Sequence, residues 1–428
     1  MKVLVVGSGG REHAICHAFS KSKNVSKLYC ANGNAGIASV AELVPIRPDD
    51  VKSLGDFASN ERIDLTFVGG ETSLALGIVD EFASRGLNIV GPTRAAAELE
   101  SSKAFAKDFM ARYEIPTARY AVAHSSGFAT LMLESGDFGN EETPVVVKAD
   151  GLAAGKGVVV AKNRAEAIAA CNEMETLVGS AAAGKIILEE CLTGREVSLL
   201  AFVDGEHFAL MPPVRDHKRI GDGDTGPNTG GMGTITDHSL LSPEQTQSIV
   251  ETIIRPTLRG CIRDGFPFKG ILFLGLMMTS TGPMVLEYNV RFGDPETQAI
   301  MVRLETDLVE ICDAMLAGRL SEIEIAWTPG SSACVMLAAE GYPAKPRTGD
   351  LISGIDKAAT HAGVTIFHSG TSFGSLGSDN GPTFQTAGGR VLGVTAVGAD
   401  LATALTTAYS AVKEISWPGM QYRHDIGK

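Results

Sequence analysis

With 428 residues, 44% hydrophobic and 20% charged, the chain is too long for one ordinary core and has the composition of a globular protein of about two to four domains. A formal net charge of −13 excludes general electrostatic capture of nucleic acid or of an anionic membrane, so any phosphate ligand must be held by a local pocket. Seven cysteines, at 16, 30, 171, 191, 261, 312 and 334 with no Cys-x-x-Cys pair, argue against a disulfide framework or a zinc site and fit a reducing cytoplasm.

Residues 3–6 read as a buried strand, 7–10 as a glycine turn and 11–20 as a helix, so the chain opens with a βα unit and without a signal peptide. Strands at 28–30 and 65–68, a helix over 74–84 and a strand at 88–90 continue the alternation, which implies a parallel sheet covered by helices. Gly91-Pro92-Thr93 punctuates the chain before a helix over 103–113, and a domain boundary is expected near residue 102. Strand-rich sequence with tight turns fills 144–210, a glycine-dense loop covers 219–233, a long helix is expected over 242–264 and a hairpin over 270–290. Pro329-Gly330 marks another change, followed by strands near 334–338, 365–367 and 390–397 and a helix over 400–415. The longest apolar run, 271–278, is too short to span a bilayer.

Four segments carry chemistry. In the extended segment 287–291, Glu287, Asn289 and Arg291 share one face; two offer hard oxygen ligands for Mg²⁺ and the third a guanidinium fork for carboxylate or phosphoryl oxygens. The first turn, Gly7-Ser8-Gly9-Gly10, points helix amides at a phosphate, with Arg11 beside them. A dinucleotide is disfavoured there: Glu12 occupies the third small-residue position, and 29–32 lacks the acidic residue that would hold a ribose. Asp150 to Gly157, Asp-Gly-Leu-Ala-Ala-Gly-Lys-Gly, joins two valine-rich strands instead of opening a helix, so it reads as a mobile flap over phosphates with Lys148 below it. Asp216-His217-Lys218-Arg219 leads into the long loop, where His217 fits a positioned hydrogen-bonding role better than that of a general base.

A strand-flap-strand bearing a lysine, Glu189-Glu190-Cys191-Leu192, Glu196 and a Glu-x-Asn strand resemble the parts of the ATP-grasp fold in order. More narrowly, Gly9-Gly10-Arg11-Glu12-His13-Ala14, Gly33-Asn34-Ala35-Gly36, the stretch from Lys148 to Gly157, the loop from Asp216 to Gly233 and Arg291-Phe292-Gly293-Asp294-Pro295-Glu296-Thr297-Gln298 resemble the phosphoribosylamine-glycine ligase family over essentially the whole chain. That resemblance implies an α/β fold: a Rossmann-like domain (1–102), a two-lobed ATP-grasp unit (103–328, flap lobe about 119–195) and a small β-rich C-terminal domain (329–428). It implies ATP at Lys103, Lys148, Gly155, Lys156, Gly157, Glu189, Leu192 and Glu196, with Glu189 at the adenine and Glu196 at the ribose. Glu287 and Asn289 take Mg²⁺, with Mn²⁺ as the alternative ion. The resemblance further implies that Gly9, Gly10, Arg11, Glu12, Asn34 and Glu71 hold 5-phosphoribosylamine, Asp216 and Arg291 the two ends of glycine, and that Arg291, Lys218 and Asp216 serve catalysis. The implied protein is a cytoplasmic ligase of purine biosynthesis, a monomer or weak homodimer, whose partners are small molecules and neither nucleic acid nor membrane.

The chain departs from the family pattern at Gly70, where proline is usual, at Arg215, where glutamine is common, in a shortened flap lobe before Lys185, and at Thr236-Asp237-His238-Ser239, which replaces Ser-Pro-Ala-Pro.

Overall fold

In a computed structural model the described residues are 1–152, 157–179, 184–374 and 382–428, with Glu175 taken by its backbone alone. The valine-rich opening strand Lys2–Gly7 lies at the centre of a five-stranded parallel sheet, between Lys27–Asn32 and Leu65–Val68, with Glu42–Val44 and Ile89–Val90 at the edges. Such a strand is buried on both faces, and Val3, Leu4, Val5 and Val6 are fully buried. The turn and helix Gly10–Ser20 sit at its carboxyl end, where an open parallel sheet presents its ligand crevice. Helix Val51–Glu61 also covers this sheet, and the helix expected over 74–84 is two, Glu71–Ala75 and Ile78–Ser84. Gly77 breaks it with φ +83°, a backbone conformation that an L side chain rarely adopts.

The flap lobe is a four-stranded antiparallel sheet in the order Tyr120–Ala123, Ile186–Glu190, Val145–Ala149, Val158–Ala161. Helices Ser126–Glu134 and Arg164–Val178 cover it around their own core of Ala129, Leu133, Val147, Ala167, Met174 and Leu188. The second helix interrupts a region that reads as strand-rich in the sequence.

The largest sheet follows the order Gly282–Asn289, Lys269–Thr279, Arg195–Asp204, Val214–Asp216, Gly233–Thr236, Ser331–Ala338, Arg390–Gly398, Val364–His368. Strand Gly233–Thr236 pairs directly with Ser331–Ala338, so three C-terminal strands extend the central sheet, while Leu351–Ile352, Phe384–Thr386 and Thr371–Phe373 form a small sheet of their own. The departure at 236–239 builds this crossover. Thr236 Oγ1 lies 2.7 Å from Ser332 Oγ and accepts from Arg303 Nη1 at 2.9 Å, and Ser331 Oγ donates to Asp237 at 2.5 Å. Helix Leu401–Val412 packs on strands Ser331–Ala338 and Arg390–Gly398. The stretch 243–263 is continuous helix with a π turn at Val250–Ile254. Among the described residues no helix is long and apolar enough to cross a membrane, and no cysteine is bonded to another.

Candidate active site

Three structures converge on one cleft: the base of the flap sheet, the outer strand Gly282–Asn289 of the large sheet, and the glycine-dense loop. Residues 102–104 form the hinge side. Ser102 caps helix Lys103–Arg112, and Asp150 Oδ1 accepts from Ser102 Oγ at 3.0 Å and from the Ala104 amide at 2.8 Å. Lys103 Nζ donates to the Gly151 carbonyl at 3.2 Å. The chain entering the flap is therefore clamped to a helix N-terminus whose first amides are taken by Asp150 and Ser102, which leaves the Lys103 ammonium as the group there that can meet an anion. Gly155 and Lys156 lie outside the described residues; Gly157 ends the segment, and its carbonyl accepts from the Ala149 amide at 2.8 Å.

Lys148 is buried, as its apolar flanks demand, and donates to the Leu286 carbonyl at 3.0 Å. Its Nζ also lies 2.7 Å from Glu189 Oε1, while Glu189 Oε2 lies 2.9 Å from Lys107 Nζ. Glu189 was expected to face adenine. Its carboxylate is enclosed between two ammonium groups at 2% exposure. Glu196, exposed, pairs with Lys218 at 3.2 Å.

Glu287 and Asn289 alternate onto one face of their strand. Burial raises the Glu287 carboxyl, but Lys218, Lys148, Lys103 and Arg291 outweigh it, and the net shift is below the ordinary range. Glu287 has no ion pair or hydrogen bond to a described residue. A carboxylate kept ionised among four cations, with its oxygens uncommitted, fits a divalent cation with hard oxygen preference. Asn289 Oδ1 accepts from Arg291 Nη2 at 3.0 Å.

Arg291 joins this strand to the N-terminal sheet. Its Nε reaches Glu71 at 3.1 Å and its Nη2 reaches Glu100 at 2.7 Å, while Glu100 Oε2 accepts from the Val290 amide at 2.8 Å. Burial raises Glu71, but Arg291 and Arg11 together pull it down to about 2. Arg11 donates to the Phe292 carbonyl at 3.0 Å and lies 3.8 Å from Glu71. Glu12 is committed within its own turn, accepting from the Gly9 amide and from Arg11 Nε, each at 2.6 Å. Only glycine fits at Gly69, where an added Cβ would lie 2.1 Å from Glu12 Oε1. Asn34 likewise spends all its side-chain capacity inside the protein: Nδ2 donates to the Ser8 and His368 carbonyls, and Oδ1 accepts from the Gly36 and Ile37 amides. At this corner the half-buried Gly9 gives its amide to Glu12, Gly10 is buried and Ser8 is exposed.

Asp216 ends strand Val214–Asp216 with Oδ1 buried and unpartnered, beside Gly231, where a Cβ would stand 2.7 Å from that oxygen. Burial and then the nearby Glu296 carboxylate push Asp216 well above the usual carboxylate range, and burial raises Glu296 as well. A cationic guest would relieve both. Lys218, its side chain 45% exposed, is held protonated by Glu196, Glu287 and Asp216, which outweigh its partial desolvation and raise its pKa. His217 sits in a positioned role: Nδ1–H donates to the Gly233 carbonyl at 3.1 Å and Nε2 accepts from the Gly427 amide at 3.0 Å. The buried Arg423 holds the loop from outside, paired with Asp224 at 2.6 Å and Asp425 at 2.7 Å.

Sequence reading missed Glu100, Lys107, Glu296 and Arg390. Arg390 reaches in from the C-terminal segment to the Asp294 carbonyl at 2.6 Å and to the Gly230 carbonyl. Glu296 stood in a quoted motif and Lys107 one turn after Lys103, so those two had a local signal; Glu100 and Arg390 had none.

A parallel-sheet domain, a lysine-bearing antiparallel lobe and a sheet edge carrying Glu-x-Asn-x-Arg, closed on one charged cleft, define an ATP-grasp enzyme. The sequence matches the phosphoribosylglycinamide synthetase N domain over residues 1–100, the ATP-grasp (A) domain over 101–297 and the C domain over 332–428. The chain belongs to the phosphoribosylglycinamide synthetase family. Its relatives include the phosphoribosylamine–glycine ligase of Xanthomonas axonopodis pv. citri, 47% identical over 435 aligned residues covering 100% of this chain and 97% of the relative. The ligase of the same description from Brucella melitensis is 45% identical, with the same coverage. The solved phosphoribosylamine–glycine ligase of Thermotoga maritima superposes with a TM-score of 0.84 at 33% identity and full coverage of both chains.

Proposed function

We propose that this chain joins glycine to 5-phosphoribosylamine with ATP, giving glycinamide ribonucleotide, ADP and phosphate, a step of purine biosynthesis. The observation that carries this reading is the uncommitted Glu287 carboxylate beside Asn289 and Arg291, ringed by Lys103, Lys148 and Lys218. That arrangement suits a nucleotide phosphate brought against a second anion. Full-length relatedness to ligases of that description supports the choice of substrates.

A carboxylate is a poor acyl donor, because an oxide-like oxygen must leave. In the proposed sequence a glycine carboxylate oxygen attacks the γ-phosphorus, the bond to the ADP oxygen breaks, and glycyl phosphate forms. The amine of phosphoribosylamine then attacks the acyl carbon, phosphate leaves with the former carboxylate oxygen, and the nitrogen releases a proton to solvent. Anion meets anion in the first step, so fixed cations supply most of the rate. Lys148 and Lys103 fit the transferring and leaving phosphates, and Arg291 fits the glycine carboxylate. Asp216, through its buried Oδ1, and its neighbour Glu296 fit the ammonium end. Lys218 lies between Glu287 and Asp216 and balances their charge. The Gly9-Gly10 turn with Arg11 suits the sugar phosphate. Glu287 and Asn289 would hold Mg²⁺, or Mn²⁺ through the same oxygens, and the ion would neutralise charge on the phosphates. Seven unpaired cysteines suit a cytoplasmic enzyme, and a monomer or weak homodimer is the proposed state.

Coupled ADP release measured with glycine and Mg-ATP, with and without phosphoribosylamine, tests the reading. ADP should appear only with all three substrates. Turnover with bicarbonate and none with glycine would replace it with a carboxylase.

A further inference from the structure

Lys107 lies one helical turn beyond Lys103 on helix Lys103–Arg112, on the face that meets the flap lobe, and its side chain is 2% exposed. An ammonium group is buried only where acceptors replace its water. Here Nζ lies 2.9 Å from Glu189 Oε2, donates to Thr117 Oγ1 at 2.8 Å and stands 5.7 Å from the centre of the Tyr120 ring. The other Glu189 oxygen lies 2.7 Å from Lys148 Nζ, so two lysines share one carboxylate. The cluster holds one positive charge in excess. It is also tied to the strand that carries Glu287: Thr117 Oγ1 donates to the Val285 carbonyl at 2.6 Å, and Lys148 to the Leu286 carbonyl at 3.0 Å.

We propose that Lys107 is a positioning residue for the nucleotide phosphates: it takes up half of the Glu189 charge and so leaves Lys148 only half-compensated toward the phosphate site. The inference rests on the ATP reading of this cleft. Without Lys107, Glu189 and Lys148 would form a neutral pair whose field at the phosphates largely cancels. A buried excess cation costs desolvation energy in the empty cleft, and a bound polyanion offsets that cost. The surroundings of Lys107 are mixed. Burial lowers its pKa to about 8, Lys148 adds to that shift, and Glu189 and Glu190 oppose it; Tyr120 and Thr117 complete the shell. The excess charge is therefore present at neutral pH and is lost as pH rises through about 8.

Calorimetric binding of Mg-ATP and of adenosine to the full chain tests this. Lys107→Met should weaken Mg-ATP by about tenfold and leave adenosine unchanged, because adenosine has no phosphate for Lys148 to meet. The double variant Lys107→Met with Glu189→Gln should regain most of that loss, since Lys148 is then uncompensated again. If Lys107→Met does not fold, the parent decides: its Mg-ATP affinity should fall above pH 8 while its adenosine affinity holds. Equal Mg-ATP affinity in variant and parent, equal losses for ATP and adenosine, a double variant no better than the single one, or a parent whose Mg-ATP affinity is flat through pH 8 would overturn the role. A parent chain that binds no Mg-ATP would overturn the ATP reading itself, and this inference with it.

Discussion

Arg291 and Glu71, 220 positions apart in the chain, meet at 3.1 Å where the N-terminal sheet touches the outer strand of the large sheet. The contact is part of a chain of alternating charge, Arg11, Glu71, Arg291 and Glu100, that joins the proposed sugar corner to the proposed phosphate corner. Both substrates would bear on one rigid assembly, so the acyl carbon and the incoming amine need little further alignment.

Removing Arg291 should therefore cost stability as well as activity. Arg291→Met leaves the buried Glu100 without its cation, and breaking one partner of such a pair costs roughly 3 kcal/mol. Glu100→Gln in that background should recover part of the stability and none of the turnover. Urea midpoints and ADP release on the same three proteins separate the two effects; an unchanged midpoint in Arg291→Met would dissolve the structural half of this account.

Glu287→Gln keeps the shape of the side chain and removes its charge. Turnover should fall by roughly a hundredfold or more if Glu287 holds the ion that balances the transferring group. The midpoint of the Mg²⁺ dependence should move upward with it. Unchanged turnover at limiting Mg²⁺ would take Glu287 out of the metal site.

Much of this was legible in the sequence because it is local. Val3 to Val6 beside a glycine turn read as a buried strand, and alternation placed Glu287 and Asn289 on one face of theirs; Arg291 lies just past the end of that strand and returns to Asn289 by a hydrogen bond. Lys148 between Val147 and Ala149 read as buried, and it is. What stayed hidden depends on distant segments. Helix Arg164–Val178, rich in alanine and with a weak apolar stripe, gains its stability by covering the flap sheet, which no local pattern records. The pairing of Gly233–Thr236 with Ser331–Ala338 joins strands about a hundred residues apart across several other elements. The pairing of Glu189 with both Lys107 and Lys148 was equally hidden, because each lysine sits on another element.

Acid should destabilise the protein in a definable window. His13, His217 and His368 are all buried, and burial first of all lowers them, to about 3, 4 and 4 from an ordinary 6.5. The folded chain keeps them neutral: His13 Nδ1 accepts from the His368 amide at 2.8 Å. Above about pH 6.5 neither state binds the extra proton. Between 6.5 and 4 the unfolded chain binds it and the folded chain does not, so stability falls by up to about 1.4 kcal/mol per pH unit for each histidine. Asp216 and Glu296, raised in the folded state, work in the opposite direction and soften the slope. Urea midpoints from pH 7 to 4.5 should decline less steeply in His368→Gln than in the parent; parallel declines would mean that His368 is not held neutral.

Arg215 is the departure from the family pattern that lies nearest the proposed glycine site, yet it should matter little to glycine. It precedes Asp216 in strand Val214–Asp216, and successive side chains of a strand leave on opposite faces. Arg215 uses its guanidinium there, with Nη2 at 3.0 Å from His217 Nε2 and donating to the Lys428 carbonyl. Asp216 Oδ1 remains without a partner on the other face. The added charge is thus spent on holding the chain end against the glycine-dense loop, where it also helps to keep His217 neutral. Arg215→Gln should change the Michaelis constant for glycine by less than about threefold, roughly 0.7 kcal/mol. Its measurable effect should be a modest drop in the melting temperature, as one tether of residues 427–428 is lost. A tenfold shift in the glycine constant at unchanged ATP affinity would put Arg215 in the glycine site, and with it the wrong face of this strand.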